Sequence, residues 1–279
     1  MEIQWYPGHM TKSVRAMQED IRLVDMLIEL RDARIPVSSM NPDIKKLANN
    51  KPRVILLNKC DLADEKETAK WIRYFKDQGI DVEAINARQR KDIESTKKLI
   101  NAAGAQKRER DKKRGILNRP FRIMVVGIPN IGKSTFINSF AGKAQTKTGD
   151  KPGVTRGKQW IKIGNTAELL DTPGILWPKF EDRTVGVHLA ITGAIRDEIL
   201  PTEELATELI TLLRDTYPEA VNERYGVDID KEPHEVILDI AKERHLIRSQ
   251  GELDDKRAAA MLIDDMRSGR LGRITLERV

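Results

Sequence analysis

Residues 127–135 read GIPNIGKST and follow the apolar run IMVV, repeating the spacing G-x-x-x-x-G-K-[ST] between a strand-like and a helix-like stretch. Gly127 and Gly132 let backbone N–H groups wrap a phosphate, and a helix start favours negative charge through its dipole. In such a cradle the Lys133 ammonium reaches the β- and γ-phosphates. The Ser134 hydroxyl offers a small oxygen ligand to Mg²⁺, which prefers an octahedral shell of oxygens and waters. Asn130, Ile131, Gly132 and Thr135 complete the set expected to line the phosphates.

A phosphate loop alone leaves adenine and guanine open. The run NKCD, Asn58 to Asp61, follows the apolar run RVILL and so emerges at the carboxyl end of a strand, the edge at which ligands bind in parallel sheets. The Asp61 carboxylate can accept from guanine N1–H and the exocyclic amine together. Adenine would set a lone pair against it, and an unpaired buried charge costs upwards of roughly 1–3 kcal/mol, a tenfold to hundredfold preference or more. Asn58 can meet the N7 and O6 edge or tie its loop to Gly127 and its neighbours, while the stem of Lys59 can cover one face of the base. Cys60 fills the variable position, and Asn86-Ala87-Arg88, after the run DVEAI, offers a backbone N–H to guanine O6.

Asp171-Thr172-Pro173-Gly174 follows the run ELL, which places Asp171 to hold a Mg²⁺-bound water and the Gly174 N–H to meet a γ-phosphate. Between the phosphate loop and this motif lies TGDKPGVTRGKQW, in which Thr155 is the candidate to ligate Mg²⁺ only while the γ-phosphate is present. Such a loop orders and disorders with hydrolysis. A glutamine directly after this kind of second motif commonly orients the attacking water, but Ile175 stands there and cannot hydrogen-bond. Water must then be positioned from elsewhere in the chain, by a metal or by a partner, and unassisted turnover is expected to be slow, about 10⁻⁴ to 10⁻² s⁻¹.

These motifs need a scaffold, and the first 178 residues supply one by alternating β-branched runs with helical patterns, the mark of an α/β fold with a mainly parallel sheet. The pattern predicts six strands, near Val24 to Leu30, Arg53 to Leu57, Asp81 to Ile85, Arg122 to Val126, Gln159 to Ile163 and Ala167 to Leu170. Gly164-Asn165 suits a tight hairpin, so the last pair is expected to be antiparallel. Helical patterns run over about Thr11 to Arg22, Glu65 to Gln78, Asp92 to Lys113 and Gly132 to Phe140. Residues 184 to 268 show only 3.6-spaced apolar positions, such as Leu205, Leu209, Leu212 and Leu213. Two domains are expected: a GTPase-like unit over 1–178 and an all-helical unit over 179–279.

The net charge of +6 conceals an asymmetry. Up to Pro178 there are 34 basic and 21 acidic residues, net +13, and beyond it 15 and 22, net −7. The run QKRERDKKRG and the series Lys143, Lys147, Lys151, Arg156 and Lys158 suit contact with a phosphate backbone, and the arginine-rich end MRSGRLGRITLERV offers a further RNA contact. The rest of the helical half suits protein contacts. No uncharged apolar run approaches a membrane span, and one cysteine excludes an internal disulfide framework and a cysteine-cluster zinc site. With an N-terminus that has neither an apolar core nor an arginine-rich, acid-free character, a cytoplasmic location is expected.

The motifs stand in the order base reader, base support, phosphate loop, first switch, second switch. That order, with WYPGHM, DARIPVSSMNP at Asp32 to Pro42, NKCD, GIPNIGKST, TGDKPGVT and LLDTPGILWPKFED, resembles the circularly permuted GTPases of the YlqF/RbgA subfamily. The resemblance implies a cytoplasmic factor that binds GTP and Mg²⁺, engages rRNA and a precursor of the large ribosomal subunit, and leaves after hydrolysis; a monomer that also meets ribosomal proteins is expected. With the resemblance, His9, projected by the Pro7-Gly8 turn, is the leading candidate to position the water. In related GxPNxGKS loops an asparagine can ligate K⁺ beside the phosphates, which makes Asn130 a candidate for that role against a simple loop hydrogen bond. A GTP-sensing RNA-binding module without useful turnover and a tRNA- or translation-related GTPase are the alternatives. The short path from Gly174 through Trp177-Pro178 leads to the expectation that nucleotide state sets the angle between the two halves.

Overall fold

A computed structural model describes residues 18–48, 51–116, 119–142, 159–163, 167–172, 182–195, 201–249 and 251–279. Six strands form one sheet: β1 (Met26–Asp32), β2 (Arg53–Asn58), β3 (Asp81–Ile85), β4 (Phe121–Val126), β5 (Gln159–Ile163) and β6 (Ala167–Asp171), in the order β3-β2-β1-β4-β6-β5. Every pairing is parallel except β5 with β6, which is antiparallel as the sequence pattern requires. The described part of helix α1 covers residues 18–23, and α2 (Pro42–Leu47), α3 (Glu65–Asp77), α4 (Arg90–Ala103), α5 (Ala105–Lys113) and α6 (Lys133–Ala141) follow among the strands.

Both faces of the central strands are covered, so alternation gives way to continuous apolar runs. Val54 and Leu56 of β2 join Met26, Ile28 and Leu30 on one face, whereas Ile55 and Leu57 pack on the other with Trp71 and Phe75 of α3. Strand β1 runs two residues past the apolar stretch that sequence periodicity delimits. Its charged end is neutralised internally, because Glu29 accepts from Arg31 Nε at 2.9 Å and Asp32 is paired with Arg34. Helix α3 starts where Asp64 accepts from the N–H groups of Lys66 and Glu67, and its acidic first turn suits the positive end of the dipole.

The single helix expected over Asp92 to Lys113 is two, broken at Gly104 between α4 and α5. There the Phe121 ring closes in so tightly that a Cβ at Gly104 would lie 2.8 Å from it. Helix α2 was not foreseen; a proline at its start and Asn41 accepting from Asp43 N–H explain it.

The second half is helical, with α7 (Arg183–Ile191), α8 (Thr202–Thr216), α9 (Glu219–Tyr225), α10 (Pro233–Glu243) and α11 (Asp255–Ser268). Its apolar side, including Leu209, Leu213, Leu262 and Met266, continues into the same buried cluster as Ile28, Leu56 and Val125 of the sheet. Beyond α11 the last residues turn back along the first half: Ile274 N donates to Leu62 O at 3.1 Å and Leu276 N to Arg34 O at 2.8 Å.

Candidate functional site

Strands β1 and β4 are neighbours at the sheet's centre; from β1 the chain moves outward through β2 and β3 on one side, and from β4 it passes to the edge strand β5 and back to β6 on the other. A crevice opens at the carboxyl edge of such a reversal point. At that edge end Asp32 of β1, Asn58 of β2, Ile85 of β3, Val126 of β4 and Asp171 of β6. The topology therefore gathers segments that are more than a hundred residues apart in sequence.

The phosphate loop joins β4 to α6. Gly132 sits at φ +95°, where an L side chain is strained, and a Cβ there would lie 2.5 Å from Asn58 Nδ2. Glycine is needed here for the close approach of the neighbouring loop as much as for the turn. Lys133 is buried, and its ammonium donates to Gly127 O at 3.1 Å and Ile128 O at 2.8 Å. Burial pulls it down to about 8, against the opposing field of Asp171. Phosphate oxygens offer this ammonium stronger acceptors than the two carbonyls do. Ser134 and Thr135 occupy the first turn of α6, both half-buried.

Asp171 is 1% exposed, and neither of its carboxylate oxygens has a hydrogen-bond partner among the described residues. Burial pushes its carboxyl up to about 6, opposed by Lys133. The adjacent Thr172 hydroxyl donates to Val125 O at 2.9 Å and fixes the end of β6 against β4. An orphaned buried carboxylate within the field of the phosphate-loop lysine fits a divalent cation, whose charge would relieve the desolvation that raises the group.

Asn58 acts as the tie between loops, not as a group free for the base edge. Its Nδ2 donates to Ile131 O at 2.7 Å and its Oδ1 accepts from Ala87 N at 3.0 Å. The Ala87 amide would therefore share its proton between Asn58 and a guanine O6. Around it, Asn86 N donates to Asp92 and Arg88 N to Asn86 Oδ1, which folds the base-support loop into a tight turn. Lys59 holds a left-handed backbone, φ 60°, and its ammonium lies 3.1 Å from Asp32 Oδ2. Asp61 stands exposed at the tip. Burial pushes the Cys60 thiol up to about 11, with Asp92 and Asp61 adding to it, so it stays protonated and chemically quiet.

Asp32 and Arg34 were not read from the residues as functional. Burial alone would raise the Asp32 carboxyl, but Arg34 and Lys59 more than offset it and hold the group well below the usual carboxylate range. Arg34 is fully buried, bound to Asp32 at 2.9 and 2.8 Å. The available signal was a charged DAR run directly after an apolar strand. His9, Thr155, Gly174 and Ile175, with Lys143, Lys147, Lys151, Arg156 and Lys158, lie outside the described residues. Asn130, at φ 55°, donates through Nδ2 to Gly193 O at 2.8 Å, a loop hydrogen bond to the turn after α7.

The arginines of the C-terminal end, expected to offer an RNA contact, are engaged within the chain. Arg267 donates to Ala190 O and Ile191 O, Arg270 pairs with Asp265, Arg273 binds Cys60 O and Ala63 O, and Arg278 pairs with Glu67. A contiguous basic run carries no record of acceptors two hundred residues away. His188, read as structural, is buried with Nδ1 3.1 Å from Ser38 Oγ and 3.2 Å from Glu277 Oε1. No described helix is long and apolar enough to cross a membrane.

A family model described as "50S ribosome-binding GTPase" matches residues 122–248, from the phosphate-loop strand onward, so the base reader at Asn58 to Asp61 precedes the match. Ribosome biogenesis GTPase A of Bacillus cereus is 44% identical over 278 residues, covering 99% of this chain and 94% of that protein. The protein of the same name from Priestia megaterium is 45% identical, covering 99% and 97%. Among solved structures, GNP-bound YlqF from T. maritima is similar with a TM-score of 0.67 at 28% identity, covering 96% of this chain and 98% of that one. The GDP-bound form of TM YlqF gives 0.68 at 29%, covering 95% and 99%.

Proposed function

The chain belongs to the ribosome biogenesis GTPase A family, and from that membership we propose that it is a GTP-hydrolysing assembly factor that binds rRNA and a precursor of the large ribosomal subunit in its GTP state and leaves after hydrolysis. The observation that carries the guanine-nucleotide part is the pair of hydrogen bonds by which Asn58 donates to Ile131 O and accepts from Ala87 N. It fixes the base reader Asp61 at a set distance from the phosphate loop, so one ligand must satisfy both ends.

In this reading Lys133 neutralises charge developing on the β–γ bridge, and Ser134, Asp171 and Thr155 would hold Mg²⁺. That ion supplies charge neutralisation at the β- and γ-phosphates. The Gly174 N–H meets the γ-phosphate, His9 positions the water in place of the missing glutamine, and Asn130 would hold a K⁺ ion that neutralises charge beside the phosphates. Residues 1–178 form the permuted GTPase domain and 179–279 the helical domain that meets the ribosomal particle. The basic residues of α5 and the basic series from Lys143 to Lys158 in the sequence support phosphate-backbone contact.

Multiple-turnover phosphate release with and without large-subunit precursor particles tests the proposal. Slow release alone and strong acceleration by the particle are expected. GTP-dependent attachment with no turnover in either condition would make the protein a GTP-sensing binding module instead.

A further inference from the structure

The loop that carries Asp61 is held from outside by the far end of the chain. Arg273 Nε donates to Ala63 O at 2.8 Å and its Nη2 to Cys60 O at 2.9 Å, while Nη1 lies 3.3 Å from Glu65 Oε2. Ile274 N donates to Leu62 O at 3.1 Å, and Asp64 N donates to Thr275 Oγ1 at 3.1 Å. Four of the backbone groups that flank Asp61, those of residues 60, 62, 63 and 64, are thus bound by three consecutive residues from the last turn of sequence. The strap is itself anchored: Ile274 and Thr275 are buried, Thr275 N donates to Tyr217 OH, and Tyr217 OH donates to Asp64 Oδ2.

Besides the strap and the Tyr217 bond to Asp64 Oδ2, the described residues hold the Cys60–Asp64 turn from its inner side, through Asn58, the Lys59–Asp32 ion pair and the bond of Cys60 N to Ile85 O. Reading guanine requires that one carboxylate meet two donors at once, which tolerates little displacement. A loop that carries such a carboxylate two residues after a left-handed one, Lys59, gains most from being held on both sides.

We infer that Arg273, with Ile274 and Thr275, is a positioning element for guanine recognition, setting the placement of Asp61 without touching the nucleotide. The inference rests on the reading of Asp61 as the guanine reader. It makes base affinity a property shared between the two ends of the chain, so whatever pulls the C-terminal strap away loosens the nucleotide at its base and not at its phosphates.

The test compares GDP with inosine diphosphate, which lacks the exocyclic amine that Asp61 would bind. Arg273→Met keeps the length of the side chain, which is about half exposed, and removes only its bonds to Cys60, Ala63 and Glu65. GDP affinity is expected to fall about tenfold, the size of one lost charge-assisted hydrogen bond, and inosine diphosphate affinity by less than about threefold. Arg273→Lys should restore part of the difference. Thr275→Val, which conserves shape and removes the acceptor for Asp64 N–H, should compress the GDP preference in the same direction. Equal losses for both nucleotides, or none, would overturn the inference. Asp61→Asn, which should exchange GDP for xanthosine diphosphate, separates the two levels: without that exchange the underlying reading fails, and the strap inference fails with it.

Discussion

The tie at Asn58 can be tested by pairing it with the glycine it abuts. Asn58→Ala removes two buried hydrogen bonds and strands Ile131 O and Ala87 N, a loss of about 2–4 kcal/mol from a fold of ordinary stability of about 5–15 kcal/mol. Gly132→Ala adds two penalties. The left-handed backbone costs an L residue roughly 1–2 kcal/mol, and the new Cβ, 2.5 Å from Asn58 Nδ2, must push the amide aside and weaken the same two bonds. In the Asn58→Ala background nothing remains to be pushed, so the second penalty vanishes. The double variant should therefore be more stable than the two single losses predict, by about 1 kcal/mol or more. Urea unfolding of the nucleotide-free proteins at fixed pH measures all four corners. Additivity within about 0.5 kcal/mol would show that the Gly132 and Asn58 contacts are independent, and the account of the inter-loop tie would be refuted.

Other expectations follow from the same geometry. Because the folded Asp171 carboxyl sits near 6 instead of 3.8, the native state binds the extra proton between those values, and the nucleotide-free protein loses stability as pH rises through that window; Asp171→Asn should flatten the slope and gain on the order of 1–3 kcal/mol at pH 7 while weakening Mg²⁺-dependent GTP binding. Glu277→Gln should lower stability by about 1–2 kcal/mol in urea unfolding, since the carboxylate accepts from Val37 N at 2.6 Å and Ser38 N at 2.8 Å; an unchanged midpoint would refute its anchoring role. If Asn130 ligates K⁺, hydrolysis is faster in potassium than in sodium buffer and Asn130→Ala erases the difference; equal rates in both salts for the native protein exclude the role. His9→Ala should keep GTP affinity and lose most particle-stimulated turnover, and full turnover would remove His9 from the chemistry.

What the sequence made legible was local. Strands β2, β3 and β5 fall where the apolar and β-branched runs place them, because each is bounded by residues that break a strand regardless of tertiary context. The turn of the phosphate-loop motif is legible for the same reason: backbone permissiveness at Gly132 is written in a single residue, as is the donor–acceptor match proposed for Asp61. Harder to see was anything set by contact across the fold. Gly104 breaks a helix because Phe121 arrives beside it, and α2 is too short for periodicity to register. Arg273 and Glu277 look like an ordinary charged tail until the turn after Gly269 brings them onto residues 60–65 and 37–38.

The same contacts bear on how nucleotide state could move the helical half. The short path from the second switch into α7 led to the expectation that the γ-phosphate sets the angle between the halves. Yet the helical half and the residues after it are joined to the first half at separate places: Asn130 to Gly193, Arg34 to Arg267 O, Glu277 to Val37 and Ser38, and the strap on residues 60–64. A rotation wide enough to change the angle must peel that strap, exposing Ile274 and Leu276 at about 1.5–3 kcal/mol each, and break several hydrogen bonds at about 0.5–1.5 kcal/mol each. The total, on the order of 5–10 kcal/mol, exceeds the roughly 1–3 kcal/mol that a ligand typically differentiates between two states. The nucleotide alone is therefore too weak a lever for a wide rotation. A wide rotation would need, besides the nucleotide, the binding energy of a partner that holds both halves in the rotated arrangement.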